Sequence, residues 1–325
     1  MPETGLSGPA RDALRASGHR IVITGAGGWI GLATLELLQQ CLGPDFQRRV
    51  VAFGSADRIL TLRDGTEVAQ RPLAEVPELP AQASLVLHLA FLTKDKVAHM
   101  DEAEYVRANR ALSQTVLDSL DAIGANAVFV ASSGAARSAG DPAAAPAMRL
   151  YGSLKKVDED AFAAWAEQGD RRAVIARIFN LAGPYINKHE TYALASFILD
   201  AVEGRAIYVT STREVIRGYV AIRELMSLVF VLLLDGPRGA TRFDTGGEPM
   251  EMQEIAERVA ALLGPVPVQR ASQVSGPADR YVGDDASYRA LLERHGVESI
   301  DFDTQVSETA GYLIEKKRKT ACRKG

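Results

Sequence analysis

The sequence predicts an α/β fold: a doubly wound parallel sheet with a smaller C-terminal lobe. Three observations carry this. Short β-rich runs alternate with helical stretches through the first half of the chain. A glycine-rich turn joins the first strand directly to an apolar helix. With 325 residues, 47% of them hydrophobic, the chain can bury a sizeable core.

Taken in order, residues 1–18 contain no continuous apolar core, so they do not read as a secretory signal and are expected to be a loosely packed N-terminal extension. Strands are expected at Arg20 to Thr24, Val50 to Phe53, Leu85 to Leu89, Ala127 to Ala131 and Val174 to Ile178. Helices are expected at about Gly28 to Cys41, Asp101 to Leu120 and Lys155 to Glu167. Residues 58–70 contain Asp64-Gly65 between strand-like runs, the signature of a hairpin, expected to be peripheral. The apolar run from Leu225 to Leu234 is about half the ~20 residues that span a bilayer, so it predicts a buried helix. Past Asn180 the alternation breaks up. The predicted organisation is a dinucleotide-binding part at 19–180 and about 216–246, with a substrate-binding lobe at about 181–215 and 247–325.

A formal net charge of -4 gives no general attraction to nucleic acid or an anionic membrane, so the expected partner is a small molecule. The two cysteines, Cys41 and Cys322, form no metal or disulfide pattern, which suits a cytoplasmic protein without a bound metal. The basic run Lys316 to Lys319 reads as a solvated end.

The strand Ile21-Val22-Ile23 runs into Thr24-Gly25-Ala26-Gly27-Gly28-Trp29-Ile30-Gly31. Glycines at 25, 28 and 31 allow a tight turn, a close approach to a pyrophosphate, and close helix-strand packing. The helix that follows offers free N–H groups and the positive end of its dipole. This is a Rossmann-type turn, with Gly25, Gly28, Trp29 and Ile30 as coenzyme contacts. A carboxylate normally ends the second strand to hold the ribose hydroxyls. Here Gly54-Ser55-Ala56 follow Phe53, and Arg58 is near enough to meet a 2'-phosphate, so Ser55 and Arg58 point to NADP in preference to NAD.

Hydride transfer at a carbonyl needs a proton donor on the oxygen. Tyr151 and Lys155 lie at i and i+4, on one helix face, where an ammonium would draw the phenol's pKa from about 10 toward neutrality. With nine tyrosines in the chain the pair alone is unspecific. Its place after the strand ending in Ser132-Ser133 gives it weight, because such strand ends line the ligand crevice.

The glycine spacing resembles the Thr-Gly-x-x-Gly-x-x-Gly of extended short-chain dehydrogenase/reductases, the NAD(P)-dependent epimerase/dehydratase family, and Trp29-Ile30-Gly31 stands where members have Phe-Ile-Gly. The resemblance runs from Arg20 to about Tyr312. It implies that Ser133 holds the carbonyl oxygen, Tyr151 transfers the proton, and Lys155 bridges to the nicotinamide ribose. His88-Leu89-Ala90 is similar to the family's His-Leu-Ala-Ala, with Phe91 in place of a small residue. Leu89, Ala90 and Asn109 are thereby implied beside the coenzyme. Thr93, Asn180, Arg217 and Arg280 are implied on the substrate side, and Gly218 and Arg223-Glu224 replace acidic residues near Arg217.

Dehydratases of the family carry Asp-Glu after the catalytic hydroxyl residue, and Gly134-Ala135 supply neither acid nor base. The family resemblance therefore implies a 4-ketoreductase of a nucleotide-activated sugar, with a sugar-nucleotide epimerase as the alternative and a reductase of a non-sugar alcohol or ketone, of steroid- or flavonoid-reductase type, as a further one. A non-catalytic dinucleotide sensor would not need the Tyr-Lys pair. A homodimer through the helices of Asn109 and Tyr151 is also implied.

Overall fold

The computed structural model describes residues 5–272 and 276–322. Residues 1–4 of the expected extension, and the side chain of Cys322, lie outside the described residues.

The strands are β1 (Arg20–Thr24), β2 (Val50–Gly54), β3 (Arg58–Thr61), β4 (Glu67–Pro72), β5 (Ser84–His88), β6 (Ala125–Ser133), β7 (Arg172–Ile178), β8 (Leu181–Ala182), β9 (Ile207–Val209), β10 (Val215–Arg217), β11 (Val220–Ala221), β12 (Gly239–Asp244), β13 (Met250–Glu251), β14 (Val268–Arg270) and β15 (Asp279–Tyr281). The helices are α1 (Gly8–Ser17), α2 (Trp29–Leu42), α3 (Phe46–Arg49), α4 (Glu102–Ser119), α5 (Pro146–Glu167), α6 (Ala193–Val202), α7 (Ile222–Asp235), α8 (Met252–Leu263), α9 (Asp285–Arg294) and α10 (Phe302–Cys322).

Eight strands form one sheet in the order β12-β7-β6-β5-β1-β2-β4-β3. Every pairing is parallel except that of β3 with β4. From β1 the chain builds outward through β2 and β4, then returns to β5 on the other side. The carboxyl ends of β1 and β5 are thus the switch point where such sheets open a crevice. All five residues of β1 are buried, as expected of a strand covered on both faces. Ile21 and Ile23 pack into one core with residues of α1, α2 and α7, and Val22 packs into the other with residues of α4 and α5. The buried helix expected around 225–234 is α7.

Three expectations need correction. The extension is not loose: α1 carries Pro9 in its first turn and ends on Gly18 in the left-handed conformation. Leu6, Ala10 and Leu14, four residues apart, form one buried stripe. Ser7 N donates to Ser227 Oγ at 2.9 Å, and Arg49 Nη2 to Leu14 O at 2.9 Å. Burying a leucine such as Leu14 stabilises by about 1.5–3 kcal/mol.

Helix α5 begins at Pro146, nine residues before the expected start, because proline fits the first helical turn. The 58–70 hairpin forms, but β4 is an interior strand beside β2, so its side chains reach the glycine turn after β1. The basic run is the last part of α10, where Lys317 pairs with Glu203 and Lys319 Nζ donates to Arg63 O at 2.8 Å. Among the described residues, no helix is long and apolar enough to cross a membrane.

Candidate active site

The turn after β1 needs its glycines for steric reasons. Gly25 has φ +69°, and a Cβ there would stand 2.7 Å from Ala90 N. A Cβ on Gly31 would stand 2.5 Å from Ala26 O, so α2 packs against its own entry turn only as glycine allows. Helix α2 starts at Trp29 with Gly28 as N-cap and no side-chain cap, leaving its first N–H groups free for an anion. Trp29 Nε1 donates to Pro184 O at 2.8 Å, tying the turn to the loop after β8.

At the end of β2, Gly54 takes the place where a carboxylate is usual. A Cβ there would stand 2.3 Å from Gln70 Cδ, so the Gln70 side chain from β4 fills that space. Gln70 Nε2 donates to Ala56 O at 2.8 Å, and Gln70 Oε1 accepts from Arg58 Nη2 at 3.3 Å. The Arg58 guanidinium lies against Gly27, where it occupies the position a Cβ would take. Ser55 is exposed beside it. A turn relieved of side chains, uncapped N–H groups and a cation at its rim fit a phosphate-containing dinucleotide.

The segment after β5 is fastened to that turn. Leu89 N donates to Thr24 O at 3.2 Å, and Ala90 N to Thr24 Oγ1 at 3.3 Å. His88 is buried between Thr24 Oγ1 at 3.1 Å and Ser113 Oγ at 3.3 Å, and burial lowers its pKa to about 3, so it stays neutral. Asn109 is buried and bonded within its own chain. Its Oδ1 accepts from Leu92 N at 2.8 Å, and its Nδ2 donates to Tyr105 O at 3.2 Å, which makes it a clamp on the 91–93 segment.

The nine-residue β6 delivers Ser133 to the crevice, and the short helical turn Gly134–Ser138 begins there with Ala135 N donating to Ser133 Oγ at 3.2 Å. Gly152 of α5 packs on that turn: a Cβ there would stand 2.1 Å from Ala135 O. This brings Tyr151 beside Ser133. Lys155, one turn on, is buried and donates through Nζ to Ala131 O at 2.8 Å. Ser133, Tyr151 and Lys155 are therefore brought together.

The expected lowering of the phenol's pKa is not found. Burial pushes Tyr151 well above its ordinary value, with hydrogen bonding to Ser133 opposing. Burial also lowers Lys155 to about 8, with Asp158 and Glu159 opposing. In each case burial is the largest cause, because both groups sit in low-dielectric surroundings.

On the substrate side, Asn180 Nδ2 donates to Gly218 O at 3.0 Å and Tyr281 O at 3.3 Å. Arg217 is held by Asp279, through Nη2 to Oδ2 at 2.8 Å and Nη1 to the carbonyl at 2.8 Å, with Nη1 also donating to Ile216 O at 2.9 Å, so its ion-pair support comes from β15. Thr93 is exposed, its hydroxyl bonded to Asp95 at 2.5 Å and to Lys188 Nζ at 3.0 Å.

Arg280 is exposed, on the face of β15 opposite Tyr281. It pairs in register with Ile216, whereas Arg217 pairs with Tyr281, and successive residues of a strand point to opposite faces. The residue that arrives is Tyr281, whose hydroxyl lies 3.1 Å from Ser133 Oγ. The sequence alone does not single out Tyr281, since alternation on so short a strand gives no register. Among the described residues, no group of His, Cys, Asp or Glu is arranged to hold a metal ion.

A parallel sheet opened at β1 and β5, a glycine-rich turn into α2 and a Ser-Tyr-Lys cluster define an NAD(P)-dependent enzyme of the short-chain dehydrogenase type. The chain belongs to the NAD dependent epimerase/dehydratase family, whose model matches residues 21–243. It is similar to a UDP-glucose 4-epimerase of Rhizobium leguminosarum bv. trifolii, with 25% identity over 313 residues, 85% of this chain and 92% of that protein. The fold is shared with MoeE5, solved with UDP-glucose and NAD, at 19% identity and a TM-score of 0.70 over 92% of this chain and 99% of that one. It is shared too with the UDP-glucose 4-epimerase of Thermus thermophilus, solved with NAD, at 18% identity and a TM-score of 0.67 over 90% and 98%.

Proposed function

We propose that this chain is a nucleotide-sugar epimerase that inverts a ring carbinol through a transient ketone. The observation that carries this is the meeting of Ser133, Tyr151 and Lys155 at the carboxyl end of β6, beside the turn of Gly25 and Gly28. The similarity to a UDP-glucose 4-epimerase supports the substrate class and moves the reading from the expected 4-ketoreductase to an epimerase. Gly134 and Ala135 after Ser133 offer no proton-transfer group, which argues against dehydration.

A bound nicotinamide would supply the hydride acceptor and, after the ketone turns, the donor. Tyr151 takes the hydroxyl proton as the C–H bond breaks and returns it to the oxygen when the hydride comes back to the opposite face. Ser133 holds that oxygen, and the Lys155 ammonium on the same helix face as Tyr151 is the positive charge available to oppose the burial that disfavours the phenolate. Gly25, Gly28, Trp29, Ile30, Leu89 and Ala90 are the coenzyme-side residues of this reading, and Asn180, Arg217 and Tyr281 the substrate-side ones.

One observation favours the ketoreductase as a second reading: Arg58 against Gly27, with Gly54 in the carboxylate's place, suits the 2'-phosphate of NADP. We also propose a homodimer through the outer faces of α4 and α5, where Val157 is 48% exposed. The test is incubation with UDP-glucose and NAD or NADP, with the sugar followed by NMR. Interconversion of 4-epimers without net coenzyme consumption is expected. Consumption of NADPH with a 4-keto sugar nucleotide, and no epimer formed, would replace this reading with the reductase.

A further inference from the structure

Phe91 touches both members of the Tyr151–Lys155 pair. Its ring centroid lies 3.6 Å from Lys155 Nζ, and its edge meets the Tyr151 ring at 5.6 Å with the planes 82° apart. The backbone on either side is fixed. Before it, Ala90 N donates to Thr24 Oγ1 at 3.3 Å. After it, Leu92 N donates to Asn109 Oδ1 at 2.8 Å, and Leu92 O accepts from the Tyr105 hydroxyl at 2.6 Å. Tyr105 and Asn109 are both buried in α4, so the segment carrying Phe91 is held by the sheet at one end and a helix at the other.

Lys155 has three N–H donors and, among the described residues, one hydrogen-bond acceptor, Ala131 O. The aromatic face offers negative quadrupole to the remainder of the ammonium. The charged and titratable groups around Lys155 are Asp158 and Glu159 on its own helix, Tyr151 one turn earlier, and neutral His88 from β5. Glu159 is already spent on Arg177, with Arg177 Nη2 donating to Oε2 at 2.7 Å, and on Ser132, whose hydroxyl donates to Oε1 at 2.6 Å.

We propose that Phe91 is a positioning residue of this active site: its ring keeps the Lys155 ammonium dry yet charged, and aligned with Tyr151 on the α5 face. The proposal rests on Tyr151 and Lys155 being the reacting pair. Burial alone drives the amine toward its neutral form, and the ring works in the opposite sense. Leucine at 91 would keep the site apolar and remove the quadrupole, so the amine's pKa falls. The expected fall is on the order of one pKa unit. The charged form, and turnover that needs it, are then lost at a lower pH on the alkaline side.

The experiment titrates Lys155 by NMR in protein labelled at the lysine side chains, without added coenzyme, the signal being assigned by its loss in Lys155→Arg. Phe91→Leu is expected to lower the midpoint by about one unit. Phe91→Tyr, which keeps the aromatic face, is expected to leave it in place, and the alkaline limb of the pH–rate profile should move with the midpoint. Matched thermal melts confirm that each variant is folded, and Phe91→Met serves if the leucine variant is not. An unmoved midpoint in the folded leucine or methionine variant, or an equal shift in Phe91→Tyr, would overturn the proposal. A shifted midpoint in a protein that interconverts no nucleotide sugar would support Phe91's effect on the amine and remove the epimerase.

Discussion

Residues 24–31 follow β1, and residue 281 meets Ser133 at the end of β6, and the two are placed by different routes. The turn is contiguous in sequence, and each of its constraints is local: Gly25 sits at φ +69°, and a Cβ on Gly31 would meet the carbonyl of Ala26. Tyr281 arrives at Ser133 from 148 residues away, on a three-residue strand whose direction and register come from its pairing with β10. Backbone sterics write the glycine turn into the sequence, whereas the Tyr281–Ser133 contact depends on which neighbours a short strand finds.

The largest effect that could break this contrast is at the turn. Gly25→Ala forces a left-handed conformation on alanine and drives its Cβ against Ala90 N, at 2.7 Å. Strain on the order of 1–3 kcal/mol is expected, with loss of coenzyme binding, read by thermal melts and coenzyme titration. Gly65→Ala is the control: its φ is +91°, nothing lies within 4 Å of the added Cβ, and it sits in the hairpin turn. It should lower stability while leaving coenzyme affinity alone.

A smaller effect sharpens the substrate half. Tyr281→Phe removes the hydroxyl beside Ser133 and is expected to cost about tenfold in turnover, the worth of one buried hydrogen bond. Arg280→Ala, on the opposite face of the same strand, should change turnover by less than about twofold. Steady-state kinetics of the two variants decide which face of β15 meets the substrate, and the reverse ranking would move the contact back to the arginine.

The smallest effect belongs to the hairpin. Arg58 is exposed, so Arg58→Ala should weaken NADP binding by about fivefold and leave NAD binding unchanged, as comparative titrations would show. An equal loss for both coenzymes would mean that Arg58 supports the turn and does not choose between them.

Much of the fold is legible because periodicity and strand ends are local. Strand β1 is found where Arg20 to Thr24 predicts it, and the Asp64-Gly65 turn makes its hairpin. Helix α1 is harder to read, because its buried stripe of Leu6, Ala10 and Leu14 is interleaved with Arg, Asp, Gly and Pro. At the site, spacing places Tyr151 and Lys155 on one face, but no spacing reports the burial that pushes the phenol up and the amine down. Asn109 shows the same limit from the other side. A polar residue in the family's coenzyme position turns out to spend its amide on Leu92 and Tyr105, which only the folded chain reveals.

The central claim is that Tyr151 moves the proton while a coenzyme held at the Gly25 turn moves the hydride. Mixing the protein with UDP-glucose and coenzyme, and following the near-ultraviolet absorbance of reduced nicotinamide in a single turnover, tests it directly. Wild-type protein should show transient reduction. Tyr151→Phe should bind coenzyme equally well and slow that reduction by roughly 10²–10⁴-fold. Reduction at the wild-type rate in Tyr151→Phe would contradict the account.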